Sequence, residues 1–315
     1  MKNKIIATLI ILCLFWSTGC SQTTSTDHPP ASSLAKETQA TSSSAPSSQN
    51  TPSLTESTPS SAQEPSAPQD TDFIPMESTF DYFETHEYKE GTSGASIQYL
   101  FHQPARESTQ PLPLVIFLHG KGDAVSIDYC GTAGPIVDGL MKLENQSEQY
   151  ATYTLVPITP HYYEGDWQYA QIEAFKTLLP KIVEQYNIDP MRIYLSGISM
   201  GGFMTCRLVS EMPGFFAAAV PLSGSLLIDF PDQNLGTAFR IYHVATDEVV
   251  VVTCSRQLHE QLLNANHPNL QYIEYPTGDH ISPLFTVFEE EGKEFFDWLF
   301  AQRLHPEYNT IEEYP

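Results

Sequence analysis

The segment Gly197–Gly201 (GISMG) constrains the fold of this chain more than any other. It follows the short apolar run Arg192–Leu195, which predicts a buried strand, and it precedes Phe203–Ser210, which predicts a helix. A serine between glycines at such a junction is typical of a strained turn that exposes its side chain, because glycine admits backbone where a Cβ would clash. We therefore predict that Ser199 is a nucleophile, the alternative being an ordinary glycine-rich turn.

The N-terminal residues 1–20 are predicted to be a targeting segment. Lys2 and Lys4 precede the apolar run Ile5–Trp16, which is short for a membrane span and typical of a signal peptide. Small residues then precede Cys20, an arrangement that resembles a bacterial lipobox, in which Cys20 becomes the lipid-bearing N terminus. Ser17 stands where leucine is usual, so a plain secretory signal and an uncleaved anchor remain alternatives.

Residues 21–71 differ from the rest of the chain in composition. They consist almost wholly of Ser, Thr, Pro, Ala and Gln, which cannot bury enough apolar surface to offset chain entropy. We predict a disordered tether here, a catalytic domain over residues 72–306, and a tail over residues 307–315. A lipidated cysteine followed by such a tether predicts a lipoprotein on the outer face of a Gram-positive-like cell membrane, attached through its N-terminal lipid only.

The charge of the whole chain and its motifs disfavour several classes of binding partner. The net charge of −23 disfavours nucleic acid and anionic lipid, since both would be repelled. No dinucleotide-binding or Walker pattern is present and no cluster has metal-ligand spacing, so we expect no cofactor and no metal. Cys130, Cys206 and Cys254 form no disulfide framework; we expect buried thiols, with one bridge left open.

Strand-like and helix-like segments alternate along the domain, which predicts an α/β fold with a mostly parallel sheet flanked by helices. An antiparallel hairpin over Phe80–Glu87 and Ala95–His102 is predicted to open it. The interval from Gly224 to Phe239 leaves no room for a large inserted lid domain. The predicted elements after the hairpin are the strands Leu112–Leu118, Thr152–Ile158, Arg192–Leu195, Phe216–Leu222, Phe239–Val244 and Leu270–Tyr275, and the helices Ile172–Tyr186, Phe203–Ser210, Ser255–Ala265 and Leu284–Gln302.

A serine nucleophile needs a base, and the base needs an acid that fixes its tautomer. On this topology the acid should follow the serine at the end of a later strand. Asp247 lies just beyond the strand Phe239–Val244 and is the predicted acid. Glu248 and Asp229 are rival acids, and Asp247 is alternatively a loop carboxylate that caps the next helix.

His280 is the predicted base. It lies after the last strand and before the C-terminal helix, and of the ten histidines only this one is in a loop that fits the position. The alternative is an exposed loop histidine or helix cap. Its neighbour Asp279 is poorly placed to serve as its orienting acid.

The loop His119–Asp123 (HGKGD) directly follows a predicted strand and is the predicted oxyanion-binding loop. A tetrahedral oxyanion needs backbone N–H donors, which Met200 and Lys121 would supply. His119 and Trp167 are candidates to line the substrate site, although His119 is favoured as a structural residue of its loop and Trp167 is equally compatible with packing. The alternative interpretation of this loop is a glycine-rich turn that has no functional role.

These residues resemble the α/β-hydrolase superfamily. Within it they are similar to secreted esterases related to polyhydroxybutyrate depolymerases and feruloyl or acetylxylan esterases, which grade into prolyl-oligopeptidase-type domains. The resemblance runs from about Pro111 to Trp298 and is strongest over Asn187–Gly202 and Phe216–Gly224. It implies a nucleophile, an acid, a base and an oxyanion hole at Ser199, Asp247, His280 and the His119–Gly122 loop.

The resemblance also implies an activity, the hydrolysis of a small-molecule or carbohydrate carboxylic ester through an acyl-enzyme. A serine peptidase of prolyl-oligopeptidase type is the first alternative, because the triad does not distinguish ester from amide. A non-catalytic surface binding protein with a hydrolase fold is the second. Val244 stands where the family has glycine in the acid-bearing segment, and the bridging cysteines and appended binding modules of some relatives are not recognisable in this sequence.

Overall fold

The computed structural model describes residues 73–76, 83–91, 94–104, 108–121, 133–158, 169–229 and 231–305. All of them lie in the unit of the chain that spans residues 63–315. The predicted signal peptide, tether and C-terminal tail therefore lie outside the described residues. Within the described ranges, no helix is both long and apolar enough to cross a bilayer.

The described strands form one nine-stranded sheet in the order β1-β2-β3-β5-β4-β6-β7-β8-β9. Neighbours from β1 to β5 pair antiparallel, and neighbours from β5 to β9 pair parallel. The carboxyl ends of the parallel strands therefore share one edge, where ligands bind in α/β sheets of this kind. The strands are β1 (Phe73–Met76), β2 (Glu84–Lys89), β3 (Ser96–His102), β4 (Leu112–Leu118), β5 (Tyr153–Ile158), β6 (Ile188–Ile198), β7 (Ala218–Leu222), β8 (Ala238–Val244) and β9 (Leu270–Tyr275).

Helices cover both faces of the sheet. They are α1 (Gly134–Gln146), α2 (Tyr169–Gln185), α3 (Met200–Glu211), α4 (Thr253–Asn264), α5 (Ser282–Phe285) and α6 (Lys293–Ala301), with a π-helical turn over Thr286–Glu291 and 3₁₀ turns over Glu148–Tyr150 and Pro231–Asn234. α2, α3 and α4 pack on one face, and α1, α5 and α6 pack on the other. The fold is therefore the predicted three-layer α/β arrangement.

Strand β4 shows how a buried parallel strand serves both layers. Leu114, Ile116 and Leu118 belong to the core beside α2 and α3, whereas Val115 and Phe117 belong to the core beside α1 and α6. Successive side chains of a strand point to opposite faces, so a continuous apolar run supplies two cores at once.

The opening hairpin is confirmed, since β2 pairs with β3 antiparallel from Glu84 opposite Phe101 to Lys89 opposite Ser96. Strand β1, which pairs with β2 at the edge of the sheet, was not predicted. Helix α1 was missed, although its buried apolar side chains recur on one face of the helix.

The predicted single helix Leu284–Gln302 is wrong. Gly292, with φ of 41°, lies between the π-helical turn and α6. A left-handed residue interrupts the regular helical backbone, and glycine adopts that conformation at the least cost. The interval between β7 and β8, residues 223–237, contains only a short 3₁₀ turn among its described residues, so no large lid is inserted there.

Candidate active site

Ser199 lies at the turn from β6 into α3 and has an unusual backbone conformation. Its φ is 56° and its ψ is −116°. A positive φ is uncommon for any residue other than glycine, and such strain persists only where the surrounding structure enforces it. The Ser199 N–H donates a 2.9 Å hydrogen bond to the Leu222 carbonyl of β7, and the next residue begins α3. The hydroxyl is therefore presented, half-buried, at the carboxyl edge of the sheet.

Two glycines allow the close approaches that hold this turn. A Cβ on Gly201 would overlap the carbonyl oxygen of Leu118, where β4 ends. A Cβ on Gly224 would overlap the carbonyl oxygen of Ser199 itself. The glycines are needed because backbone from β4 and from the loop after β7 presses against the serine turn on two sides.

Asp247 follows β8 and has a buried carboxylate. Its Oδ1 accepts hydrogen bonds from the N–H groups of Val249 at 2.8 Å and Val250 at 2.9 Å. Its Oδ2 lies 2.7 Å from Nδ1 of His280. Burial acts to raise the pKa of Asp247, but the hydrogen bonds from His280, Val250 and Val249 lower it more, and the net pKa is below its ordinary value of 3.8. The carboxyl group is therefore ionised at neutral pH.

His280 follows β9, and its side chain is 14% exposed. Because the carboxylate of Asp247 only accepts hydrogen bonds, the proton of neutral His280 resides on Nδ1 and the lone pair on Nε2. Among the described residues, no hydrogen bond joins His280 to the Ser199 hydroxyl. Bonds of this kind are often long in unliganded enzymes and shorten when substrate binds. The structure thus pairs the predicted acid with the predicted base and places the serine at the same sheet edge.

The rival acids lie elsewhere. Glu248 is exposed. Asp229 is exposed too, and its N–H bonds the hydroxyl of Ser210, which is about 15 Å along α3 from Met200 at a rise of about 1.5 Å per residue. Asp279 accepts hydrogen bonds from Ile281 and Ser282 at the start of α5 and does not bond His280.

The predicted oxyanion loop is described only in its first part. His119 is buried, and its Nδ1 donates a 2.8 Å hydrogen bond to the carbonyl of Gly120, in keeping with a structural residue of the loop. Lys121 is exposed, and residues 122–132 and Trp167 lie outside the described residues. Met200 is the first residue of α3, where N–H groups have no acceptor within the helix.

Exposed apolar side chains lie in the loops that carry the acid and the base. Val249 is 71% exposed and Val251 68%, both after β8, while Ile281 is 43% and Phe285 41% exposed after β9. Hydrogen bonds between Thr246 and Gly278 join these two loops. Leu226 and Leu227, in the loop after β7, are exposed as well, and a buried 2.9 Å contact between Ser225 and Ser255 connects their loop to α4.

Sequence reasoning missed one histidine beside the site. His243, the penultimate residue of β8, is fully buried, and its Nε2 lies 3.2 Å from Asp247 Oδ2. Its position four residues before the acid was the available signal. A histidine within an apolar strand is, however, normally interpreted as a residue of the hydrophobic core.

The described thiols are free and there is no metal cluster in the described ranges. Cys206 and Cys254 are unpaired, and burial raises the pKa of the Cys206 thiol to about 12. Cys130 lies outside the described residues. No group of three or more His, Cys, Asp or Glu side chains within those ranges is arranged to hold a metal ion.

Solved structures share the sheet and its connections. A thermostable esterase superposes with a TM-score of 0.61 at 26% identity, over 74% of this chain and 64% of that one. The chain has the α/β-hydrolase fold. A ferulic acid esterase gives a TM-score of 0.52 at 15% identity, over 67% of this chain and 97% of that one, which supports the fold alone.

Sequence comparisons find a family model and several curated relatives that are similar to parts of this chain. The model of the prolyl oligopeptidase family matches residues 161–233, which include Ser199. Poly(3-hydroxyalkanoate) depolymerase C of Paucimonas lemoignei is 28% identical over 143 residues, 42% of this chain and 33% of that protein. Acetylxylan esterase A of Aspergillus awamori is 27% identical over 114 residues, 33% of this chain and 37% of that protein. The matches thus cover little more than a third of these relatives.

Proposed function

We propose that this protein is a serine hydrolase that cleaves carboxylic esters through Ser199, His280 and Asp247. The observation that carries the proposal is the 2.7 Å contact between Asp247 Oδ2 and His280 Nδ1 at the sheet edge where the strained turn presents Ser199. An ionised acid, a base with its lone pair on Nε2 and an accessible hydroxyl are the three groups that acyl transfer requires.

The proposed reaction has two halves. His280 Nε2 takes the proton of the Ser199 hydroxyl as the oxygen attacks the ester carbonyl, and the resulting imidazolium is stabilised by Asp247. The oxyanion accepts hydrogen bonds from the N–H groups of Met200 and Lys121. His280 then returns the proton to the departing alcohol, and a water molecule activated by the same base releases the acid from the acyl-enzyme.

Ester cleavage is favoured over other acyl transfers by the relatives, which include a poly(3-hydroxyalkanoate) depolymerase and an acetylxylan esterase. We propose a small-molecule or carbohydrate ester as the substrate. The test is labelling by a fluorophosphonate together with turnover of p-nitrophenyl acetate, in wild type and in Ser199→Ala. Labelling and turnover should both depend on Ser199. A wild-type protein that is neither labelled nor active contradicts the proposal and favours a binding protein with this fold.

A peptidase is the second candidate, and the prolyl oligopeptidase match over residues 161–233 favours it. The same triad attacks esters and amides, so the distinction rests on substrate. A peptide p-nitroanilide assayed beside the ester separates the two. Amide turnover without ester turnover, again lost in Ser199→Ala, moves the assignment to peptidase.

We also propose that the protein is a lipoprotein at the outer face of the cell membrane, held by a lipid on Cys20. The proposal rests on the signal-like residues 1–20 and the polar segment 21–71. Cells grown with labelled palmitate should label the wild type and the control Cys206→Ala, but not Cys20→Ala. Unlabelled wild type released into the medium would instead indicate a plain secretory signal.

A further inference from the structure

A buried row of polar contacts begins at Oδ2 of Asp247, the same oxygen that His280 contacts. His243 Nε2 lies 3.2 Å from Asp247 Oδ2 and 3.0 Å from the carbonyl oxygen of Val250. Its Nδ1 lies 2.7 Å from Ser255 Oγ, which lies 2.9 Å from Ser225 Oγ. The two serines and His243 are all at most 1% exposed. The row therefore connects β8, the acid-bearing loop, α4 and the loop after β7 inside the protein.

Only one arrangement of protons satisfies this row. The carboxylate of Asp247 and the carbonyl of Val250 only accept hydrogen bonds, so His243 carries its proton on Nε2. Its Nδ1 then accepts from the Ser255 hydroxyl, whose oxygen accepts from the Ser225 hydroxyl. Burial, the largest influence, lowers the pKa of His243 below 6.5, against the raising effects of Val250 and Asp247. The imidazole is therefore neutral and its tautomer is determined by its partners.

His243 constrains both oxygens of the Asp247 carboxylate. It contacts Oδ2 directly, and it bonds the carbonyl of Val250, whose own N–H donates to Oδ1. Three hydrogen bonds, from the N–H groups of Val249 and Val250 and from His280 Nδ1, and the 3.2 Å contact with His243 Nε2 surround a group that has about four lone-pair directions. Rotation of the carboxylate away from His280 would break at least two of these contacts.

We propose that His243 is a positioning residue that holds the Asp247 carboxylate toward His280, with Ser255 and Ser225 setting its tautomer. The inference rests on the proposed Ser199–His280–Asp247 function. Removing the Nε2 donor should misdirect the acid while the substrate contacts stay intact. The loss should therefore appear in kcat and leave KM unchanged.

The test compares three substitutions by p-nitrophenyl acetate kinetics. His243→Phe keeps a ring and loses the donor, and kcat should fall about 10- to 100-fold, the usual cost of removing such a supporting contact. His243→Gln keeps an N–H near the Nε2 position and should stay within about threefold of wild type. Ser255→Ala leaves the ring but removes its tautomer-setting donor, and kcat should fall about threefold to tenfold.

A pH profile separates positioning from a general loss of stability. The titratable groups around His243 and Asp247 are His280, Glu274 and Cys254. A carboxylate that has turned away from His280 stabilises the imidazolium less, so the acid limb of kcat/KM should move to lower pH in His243→Phe. The matched control is His267→Phe, a buried histidine that bonds the carbonyl of Asn234 away from the site. It should lower thermal stability without changing kcat or the acid limb.

The outcomes are distinct. A wild type that is active and labelled at Ser199, with kcat unchanged in His243→Phe, overturns this inference and leaves the proposed function standing. If His243→Phe does not fold, Ser255→Ala decides, and an unchanged kcat there also overturns the inference. A wild type that is neither labelled nor active overturns the proposed function and this inference together.

Discussion

The turn that holds Ser199 and the loops that hold Asp247 and His280 share one edge of the sheet, but different interactions hold them. The serine turn is held by backbone contacts, with carbonyl groups pressed against glycines that admit no side chain. The acid and base are held by hydrogen bonds between side chains and backbone of separate elements. Substitutions of the turn glycines should therefore act on folding, and substitutions of Asp247 and its partners should act on activity.

The largest effect should come from Gly201→Ala. The added Cβ would overlap the carbonyl oxygen of Leu118, and neither backbone segment can move without displacing β4 or α3. We expect a loss of about 3 kcal/mol or more in the free energy of unfolding, or no soluble protein. Urea unfolding measures it. Gly134→Ala is the matched control, because a Cβ there meets nothing within 4 Å, and equal losses in both would refute the close-contact explanation.

Asp247→Asn should leave the fold and lower activity strongly. The amide keeps the shape, but its NH₂ group would face His280 Nδ1–H or the N–H groups of Val249 and Val250, so the required tautomer is lost. A decrease of about 10⁴-fold in kcat is expected for the wrong tautomer. Asp229→Asn and Asp279→Asn, measured beside it, should retain wild-type kcat. A larger decrease in kcat for Asp229→Asn than for Asp247→Asn would indicate that Asp229 is the acid.

The exposed apolar side chains of the loops should favour esters with an apolar acyl chain. In the double variant Val249→Ser with Ile281→Ser, kcat/KM for p-nitrophenyl hexanoate should fall about fourfold. This decrease corresponds to the loss of about 0.8 kcal/mol, the free energy of burying one CH₂ group. Turnover of the acetate should change little. Leu263→Ser removes an equally exposed apolar residue at the end of α4 and should leave both esters unaffected. A uniform loss for both esters would argue against contact with the acyl chain.

Acid should destabilise the fold in a predictable direction. Burial lowers the pKa of His243 and His267 below 6.5, so the unfolded chain takes up protons at a higher pH than the folded chain. The contribution of these groups is complete above pH 6.5 and is lost as the pH falls through their lower folded pKa values. We expect a urea midpoint that decreases from pH 7.5 to pH 5.5. His267→Gln should make that decrease smaller, and an unchanged decrease would contradict the assignment.

The smallest effect should follow thiol modification. The Cys206 thiol is fully buried on the helix that follows Ser199, and burial raises its pKa to about 12. Iodoacetamide should leave Cys206 unmodified by mass spectrometry and leave ester turnover unchanged, while urea should expose it. Inactivation that follows modification of Cys206 would mean that α3 opens far more readily than its packing indicates.

The serine turn was the part of the site most open to prediction. Its glycines, the preceding apolar strand and the following helix are contiguous, so the pattern can be recognised within one short stretch of sequence. The backbone that presses against the glycines, from β4 and from the loop after β7, was not predicted. The alternation of strand-like and helix-like segments predicted the α/β class, because the order of such segments is also visible along the chain. The break at Gly292 was missed because a single glycine inside an apolar repeat does not reveal its own φ.

The sequence by itself determined the fold class, the serine turn and a short set of candidate acids and bases. Only the tertiary structure paired Asp247 with His280, showed that Asp229 and Asp279 do not bond that histidine, and placed His243 beside the acid. The physical reason is that these contacts join β8, β9, α4 and the loop after β7. These elements are separated in the sequence and become neighbours only when the sheet forms and α4 packs on it. A motif that is contiguous in sequence, such as the serine turn, can be recognised from the chain alone. A hydrogen bond between two loops exists only after the strands that carry them have paired.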